Sequence, residues 1–542
     1  MKLLLLQPPI QDFYDTDIRI QPVGLGYLKA AVKKYLPDIQ VVIKDYHQGW
    51  GRRTISLPDE FNYLKEYYAW PDESPFSTFH NYFHFGAAFD TIAEDVSGEK
   101  PHLVGISSLF SPYHREVLKT ATALKKRLNV PMVVGGSHVS AMPLSILKQA
   151  PVDFVIWGEG ERPLVELLKA WNHGKEFSRV PNLGYKQEGK IFLNESQDNY
   201  PLDQLPPYDL SDLEPQRYLF DNRPMCFVIT SRGCPYRCTF CSVHDTFGFE
   251  FRSRPAEEVL EEVKKRYAEG IRVFDFEDDN LTYHKEGIKS LCRYFIKAFP
   301  SKDIQLVAMN GISYHDMDPE LLELMREAGF THLNISLVSS DIHVRKTAKR
   351  PHTIEKYLEV VQTAARLGFK IVSYQILGLP NESLNSMIQT LVLAARLPVL
   401  LGASLFYLTP NSPIAENYGD LTEEDVFKAR LTAMAVETEG FKRDDLYTLF
   451  ITARILNFLK GIRFEQTAAE LDEALQIARS GDKRSQIGAE LLEKLLKGKR
   501  LYAATKNGLK PLPRFKFETF WSAWKQLNEV GTQQGNIIRI QN

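Results

Sequence analysis

Through the first third of the chain, short apolar runs alternate with stretches in which apolar residues recur every three to four positions. Residues 3–6, 40–43, 103–107, 132–134 and 154–157 read as strands; residues 23–35, 115–127, 143–149 and 163–171 read as helices. The strands are rich in Val, Ile and Leu on both faces, the pattern of a parallel sheet covered by helices on each side. This alternation predicts an α/β chain that opens with a doubly wound, Rossmann-like sheet. Residues 50–100 interrupt it with an aromatic-rich insert that includes Tyr67, Tyr68, Trp70, Phe76, Phe79, Tyr82, Phe83 and Phe85.

A polar stretch follows, with a hairpin expected over 183–193 and Pro201, Pro206 and Pro207 beyond it. A second βα series then begins at Cys226. Its strands are expected at 227–230, 273–276, 305–309, 333–337, 372–377 and 404–407. Gly270, Gly329 and Gly368 each stand where a helix should stop in a left-handed cap, followed by an apolar residue that starts the next strand. Asp318-Pro319 reads as a helix start, with a capping carboxylate and a first-turn proline. Six such units predict a partial or full βα (TIM-like) barrel, whose chemistry belongs at the C-terminal ends of the strands. Beyond about residue 415 the periodicity is helical, over 426–437, 446–458, 467–478 and 488–496. The expected organisation is thus 1–180 for the sheet domain, 181–223 for hairpin and linker, 224–415 for the barrel and 416–542 for a C-terminal helical domain.

The chain's 542 residues are 44% hydrophobic and 25% charged, with a net charge of −2. These are values of an ordinary globular protein, and they argue against a nucleic-acid partner chosen by overall charge. Lys494 to Lys516 holds eight basic and no acidic residues, which reads as a solvated or docking face. The apolar start Met1–Leu6 ends at Gln7-Pro8-Pro9 and suits a buried strand rather than a leader. The apolar stretch over 391–408 contains Arg396 and Pro398, so no membrane span is expected. The five cysteines do not form a disulfide framework, which fits a reducing cytoplasm.

Three of those cysteines fall in one run, Arg232-Gly233-Cys234-Pro235-Tyr236-Arg237-Cys238-Thr239-Phe240-Cys241. Three thiolates spaced C-x3-C-x2-C can hold a compact metal centre and leave one metal site without a protein ligand. A zinc site is the competing reading, with His244 as the fourth ligand. The spacing, and the aromatic Phe240 before the last cysteine, resemble the radical S-adenosylmethionine (SAM) superfamily. The resemblance implies a [4Fe-4S] cluster on Cys234, Cys238 and Cys241, with SAM chelating the open iron. It also implies an external electron donor of flavodoxin or ferredoxin type.

The likeness continues along the barrel. Phe274 to Asn280 ends the second strand with acids where relatives meet the SAM amino group, and the resemblance assigns Glu277 or Asp278 to that role. Asn334 to Asp341 resembles the fourth-strand segment and brings in Ser336 or Ser339, although many relatives carry Glu where this chain has Val338. Gln375 to Glu382 matches the fifth-strand Gly-x-Pro element and brings in Gln375 and Gly378. Lys346 to Thr353 also aligns, and Tyr407 to Pro413 looks like the segment that closes the barrel in cobalamin-linked members.

A Rossmann-like sheet ahead of such a barrel is similar to the cobalamin-binding, class B methyltransferase-like subclass. Ser107-Ser108-Leu109 matches a Ser-x-Leu element, Gly135-Gly136 a Gly-Gly element, and Gly158-Glu159 opens a Gly-Glu-Gly-Glu element, all at strand ends. The resemblance implies a groove that takes the nucleotide tail of cobalamin and is lined by Ser107, Leu109, Gly135, Gly136, Gly158 and Glu159. No Asp-x-His-x-x-Gly loop occurs near residues 11–26, so that lower ligand to cobalt is not expected. His80 and His84 are four residues apart, a spacing that on a helix would put both on one face for a metal, but among so many aromatics they read as packing or hydrogen-bonding histidines.

The implied function is methylation of an unactivated carbon in a small-molecule or peptide substrate, through a 5′-deoxyadenosyl radical. Cyclisation or ring rearrangement with the same cofactors is the nearest alternative. A non-catalytic cobalamin or SAM sensor is a further one. A methylthiotransferase would carry cysteines in the N-terminal domain, and this chain has none before Cys226.

Overall fold

In the computed structural model, residues 1–16, 20–172, 174–196, 199–350, 352–466 and 470–529 are described. The chain is an α/β protein. Its N-terminal sheet has seven strands in the order Lys190–Leu193, Leu183–Gln187, Phe154–Ile156, Met132–Gly135, Leu103–Ser107, Lys2–Gln7 and Gln40–Asp45. The last five pair in parallel. Leu3 to Leu6 are all at most 1% exposed. Leu3 and Leu5 enter the core under the helices Val23–Tyr35 and Glu161–Asn172, while Leu4 and Leu6 enter that under Phe89–Glu99 and His114–Arg127. A strand apolar on both faces therefore has helices on both faces, as its composition requires. The hairpin expected in the linker is instead part of this sheet: Leu183–Gln187 pairs antiparallel with Phe154–Ile156.

Six further parallel strands follow in chain order: Arg223–Val228, Val273–Phe276, Gln305–Val307, His332–Val338, Lys370–Leu377 and Leu400–Leu405. The first three and last three form ladders, and two parallel bridges, Leu306 to Phe330 and Ile312 to Ile335, span the gap. The helices between them bury one continuous core. The three glycine caps occur as read, with φ of +95° at Gly270, +114° at Gly329 and +78° at Gly368. Asp318 caps its helix by accepting from the Leu321 N–H.

The C-terminal part departs from expectation. The helix expected over 426–437 stops at Lys428. There the chain turns so that the buried Arg430 donates to the carbonyls of Gln11, Pro112 and Phe427. The helix expected over 446–458 runs from Arg443 to Gln466, and Asn457 on it pairs with both the N–H and the carbonyl of Leu401. That amide covers the free edge of the last strand, which would otherwise expose unpaired backbone. Residues 467–469 of the third expected helix lie outside the described residues, and its observed part is Leu471–Ser480. A hairpin (Tyr502–Thr505 with Gly508–Pro511) and a final helix, Phe517–Glu529, were not foreseen.

The aromatic insert binds the two ends of the chain together. Phe61 stacks on Phe427 at 4.8 Å, Tyr67 meets Tyr447 edge-on at 5.2 Å, and Phe76 meets Phe458 at 5.5 Å. His80 and His84 do not share a helix. His84 lies in the strand Tyr82–Phe85, with Nδ1 facing Gln11 and Nε2 facing the Ala87 carbonyl, and His80 meets the Tyr68 carbonyl.

Candidate functional site

The cysteine loop leaves the first strand of the second series and is closed at its base by a short antiparallel ladder, Ser231–Arg232 with Arg252–Ser253. Gly233 turns the chain into the loop with φ of +84°, and a Cβ there would lie 2.1 Å from the Glu250 carbonyl oxygen. Only glycine fits that approach. Gly233→Ala is expected to cost about 3 kcal/mol through backbone strain, read as a lowered thermal midpoint together with poor iron retention.

Two neighbouring carboxylates pin the loop. Asp278 Oδ1 accepts from the Thr230 N–H (3.1 Å), the Thr230 hydroxyl (2.7 Å) and the Ser231 hydroxyl (2.5 Å). Asp279 Oδ2 accepts from the Gly233 N–H at 2.8 Å. Further out, Thr239 donates its N–H to the Ala348 carbonyl, and Ile414 donates to that of Thr239. The loop is thus tied to the segments after the second, fourth and sixth strands.

Cys234, Cys238 and Cys241 line one cavity of about 290 Å³ together with Phe240, Asp279, Ser336 and Arg350. Burial and the mutual proximity of the thiols push the Cys234 and Cys241 pKa values up, the latter to about 11. Three thiols gathered on one cavity, of which Cys234 and Cys241 resist ionisation, suit a cationic centre that holds them as thiolates, so the donor set fits an iron–sulfur cluster. Among the described residues no three His, Cys, Asp or Glu side chains are placed to hold a single metal ion. His244 also borders this cavity, but its ring stacks on Phe249 at 4.8 Å and its Nε2 lies 3.5 Å from Asp245. That arrangement does not assemble a four-ligand zinc site among the described residues.

The SAM-side expectations divide. Phe240 and Ser336 line the cavity. The acid in the wall is Asp279, whereas Asp278 stands behind it, spent on Thr230 and Ser231, and Glu277 is not among the lining residues. Gln375 and Gly378 are also away from it. Gln375 shares a strand face with Ser373, whose hydroxyl meets Tyr357 of the covering helix at 2.8 Å, and both Gln375 amide atoms are buried without a partner among the described residues. The other face of that strand carries Ile376, which packs in one cluster with Phe240. Gly378 (φ +91°) makes room for Leu446, 3.0 Å from where its Cβ would be. Ser339 gives its hydroxyl to Glu382 at 2.6 Å. Val338 adopts φ of +68° beside a register shift in the ladder, an outlier for a β-branched residue.

Arg350, in the segment Lys346 to Thr353, was not singled out. Its guanidinium lies 3.8 Å from Cys238 Sγ, donates to the Ser336 carbonyl at 2.6 Å and keeps a buried Nε–H without a partner among the described residues. Pro351 lies outside the described residues. Asn280 approaches Cys234 Sγ at 3.7 Å.

A second cavity, about 190 Å³, opens at the C-terminal ends of the N-terminal strands. Ser107, Leu109, Gly135, Gly136, Gly158 and Glu159 all line it. Gly136 (φ +121°) lets the chain turn where a Cβ would stand 2.6 Å from the Ser108 carbonyl oxygen. Glu159 is not a free ligand. Its carboxylate takes Arg232, Arg252 and the Tyr200 N–H. Thr246 and Phe247 line this cavity, and Val243 and His244 line the thiol cavity, so one short segment separates the two.

Residues 228–394 match the family model described as the radical SAM superfamily, and residues 79–168 match that of the B12 binding domain. A protein named an uncharacterized methyltransferase from Pyrococcus horikoshii is 28% identical over 319 residues, 57% of this chain and 68% of its own. The cytidylyl-2-hydroxyethylphosphonate methyltransferase of Streptomyces wedmorensis is 25% identical over 71% of this chain and 75% of its own. The anaerobic magnesium-protoporphyrin IX monomethyl ester cyclase of Rubrivivax gelatinosus is 25% identical over 66% of each. Among solved structures, the cobalamin-dependent S-adenosylmethionine radical enzyme OxsB, with aqua-cobalamin and S-adenosylmethionine bound, superposes with a TM-score of 0.63 at 15% identity. That match covers 91% of this chain and 72% of its own. The radical S-adenosylmethionine methyltransferase TsrM from Kitasatospora setae gives 0.60 at 17% identity, over 77% and 76%. At these identities the structural likeness is one of fold.

Proposed function

We propose that this chain, which carries a radical SAM domain and a B12-binding domain, is a cobalamin-dependent radical SAM methyltransferase acting on an unactivated carbon. The observation that carries the reading is the pair of cavities. One is rimmed by three thiols, the other lies at the strand ends of a parallel sheet, and the segment Val243 to Phe247 stands between them. When bound, the cluster with SAM supplies a 5′-deoxyadenosyl radical, and cobalamin supplies the methyl group.

We read the first sheet as Rossmann-like and the six parallel strands as a partial βα barrel. Cys234, Cys238 and Cys241 then hold the cluster, and Asp278 and Asp279 fix the loop that presents them. Phe240, Ser336, Asp279 and Arg350 form the SAM wall, with the Arg350 guanidinium placed to meet a carboxylate and Asp279 an ammonium. Ser107, Leu109, Gly135, Gly136 and Gly158 form the corrinoid wall. Small residues there leave space at the strand ends that a nucleotide tail can enter. The substrate, a small molecule or peptide, would lie between the cavities. Electrons would come from an external flavodoxin- or ferredoxin-type donor, and a reducing cytoplasm is the setting we propose. No helix among the described residues is long and apolar enough to cross a membrane.

The likeness to a cyclase supports a second reading, ring formation with the same cofactors. The test is anaerobic reconstitution with iron, sulfide and hydroxocobalamin, followed by SAM and dithionite. Methyl transfer predicts S-adenosylhomocysteine release that requires cobalamin, alongside 5′-deoxyadenosine. Deoxyadenosine without S-adenosylhomocysteine would favour the cyclase, and neither product would overturn both.

A further inference from the structure

Four charged side chains form a buried network where the corrinoid cavity meets the cysteine loop. Arg232 reaches Glu159 and Glu161 with one guanidinium nitrogen each, both at 2.7 Å. Arg252 takes the other oxygen of Glu159 at 3.0 Å and the carbonyls of Tyr200 and Phe247. Arg232, Glu159 and Glu161 are between 3 and 7% exposed. Two carboxylates and two guanidiniums balance in charge, and each depends on the others to be buried at all.

Their placement is what matters. Glu159 and Glu161 follow the strand Phe154–Ile156 and line the sheet cavity, as does Arg232 itself. Arg232 is also the last residue before the Gly233 turn into Cys234, and its backbone pairs with Arg252 across the base of the loop. The Gly233 N–H is held by Asp279, a wall residue of the thiol cavity. A shift of the guanidinium would reach the first thiol across that single pinned turn residue. Core packing has few continuous ways to absorb such a shift.

On the proposed reading of the two cavities, we infer that Arg232 is a positioning residue, clamped by Glu159 and Glu161, that couples corrinoid binding in one cavity to cluster binding in the other. By linkage, each ligand then tightens the other by the same factor.

The test is equilibrium dialysis with hydroxocobalamin on the full chain, anaerobically, with the cluster reconstituted and after its removal by chelation. Wild type is expected to bind the corrinoid about ten-fold tighter when the cluster is present, a coupling of typical size. Arg232→Met should bring the ratio to one, and Arg232→Lys should restore part of it. Glu161→Gln keeps the side-chain shape and removes one charge, so it serves should the Arg232 variants fail to fold, and it should reduce the ratio as well. A ratio of one in wild type, or an undiminished ratio in Arg232→Met or Glu161→Gln, overturns the coupling while leaving the two-cofactor reading standing. Failure of wild type to bind hydroxocobalamin with or without cluster overturns both.

Discussion

Cys238→Ala is expected to abolish the cluster and, with it, SAM cleavage. Iron in the anaerobically reconstituted protein should fall from about four atoms per chain to a trace. Deoxyadenosine formation should drop by at least about a thousandfold, to the background of the uncatalysed reaction. The fold should survive. Cys238 is 8% exposed and sits in a loop held by Asp278, Asp279 and the ladder at its base, none of which involves its sulfur. Removing one sulfur from such a site costs about 1 kcal/mol, so the circular dichroism spectrum should be unchanged and the melting point little altered. The neighbouring Arg350 sharpens the expectation, because its guanidinium donates toward Sγ from 3.8 Å and an alanine methyl offers it no acceptor. Retention of the iron–sulfur absorbance by this variant, with deoxyadenosine still formed, would remove the basis of the functional reading.

How much of this was legible beforehand depends on how locally each feature is encoded. The thiols are neighbours in sequence, so their convergence needed only one turn. The run Leu3 to Leu6 reads as a strand buried on both faces because four consecutive apolar residues cut short by a double proline are too few for a helix and leave no polar face. The residues proposed to meet the corrinoid lie far apart in sequence yet line one cavity, since parallel strands deliver their C-terminal ends to one edge and each short motif sits at such an end.

The failures have the opposite character. At 277–279 the chain leaves the strand Val273–Phe276, and two-residue alternation stops fixing which carboxylate faces inward. Only the hydrogen bonds to Thr230, Ser231 and Gly233 settle it. Gln375 was assigned by motif, but strand parity puts it with Ser373 against the covering helix and leaves Ile376 on the side of Phe240. The helix over 426–437 had the right periodicity. It yields at Lys428, where Arg430 reaches two carbonyls from distant segments, Gln11 and Pro112, as well as that of nearby Phe427, a long-range demand that local pattern does not contain. The Arg232 network is hidden for the same reason, its partners being 71 and 73 residues away.

Gly135→Leu should separate the two cofactors. Gly135 lines the sheet cavity. A Cβ there would touch only Ile156, with 3.4 Å to its carbonyl oxygen as the shortest contact, and the backbone is not in the left-handed region. The residue can therefore accept a side chain without moving the sheet, and a leucine has open space ahead of it only in the cavity. Gly136, by contrast, combines φ of +121° with a 2.6 Å approach to the Ser108 carbonyl oxygen, so substitution there would disturb the turn and confound binding with folding. Filling a cavity of about 190 Å³ with an isobutyl group leaves little room for a nucleotide tail. Hydroxocobalamin affinity should fall at least about a hundredfold, ~2.7 kcal/mol. Iron content and the melting point should stay near wild type, since the thiols lie beyond the segment Val243 to Phe247. If Gly135→Leu binds the corrinoid as tightly as wild type while folding normally, the corrinoid does not enter between these strand ends. The division of labour between sheet and thiol loop would then have to be redrawn, starting from what else Ser107 and Leu109 could be holding.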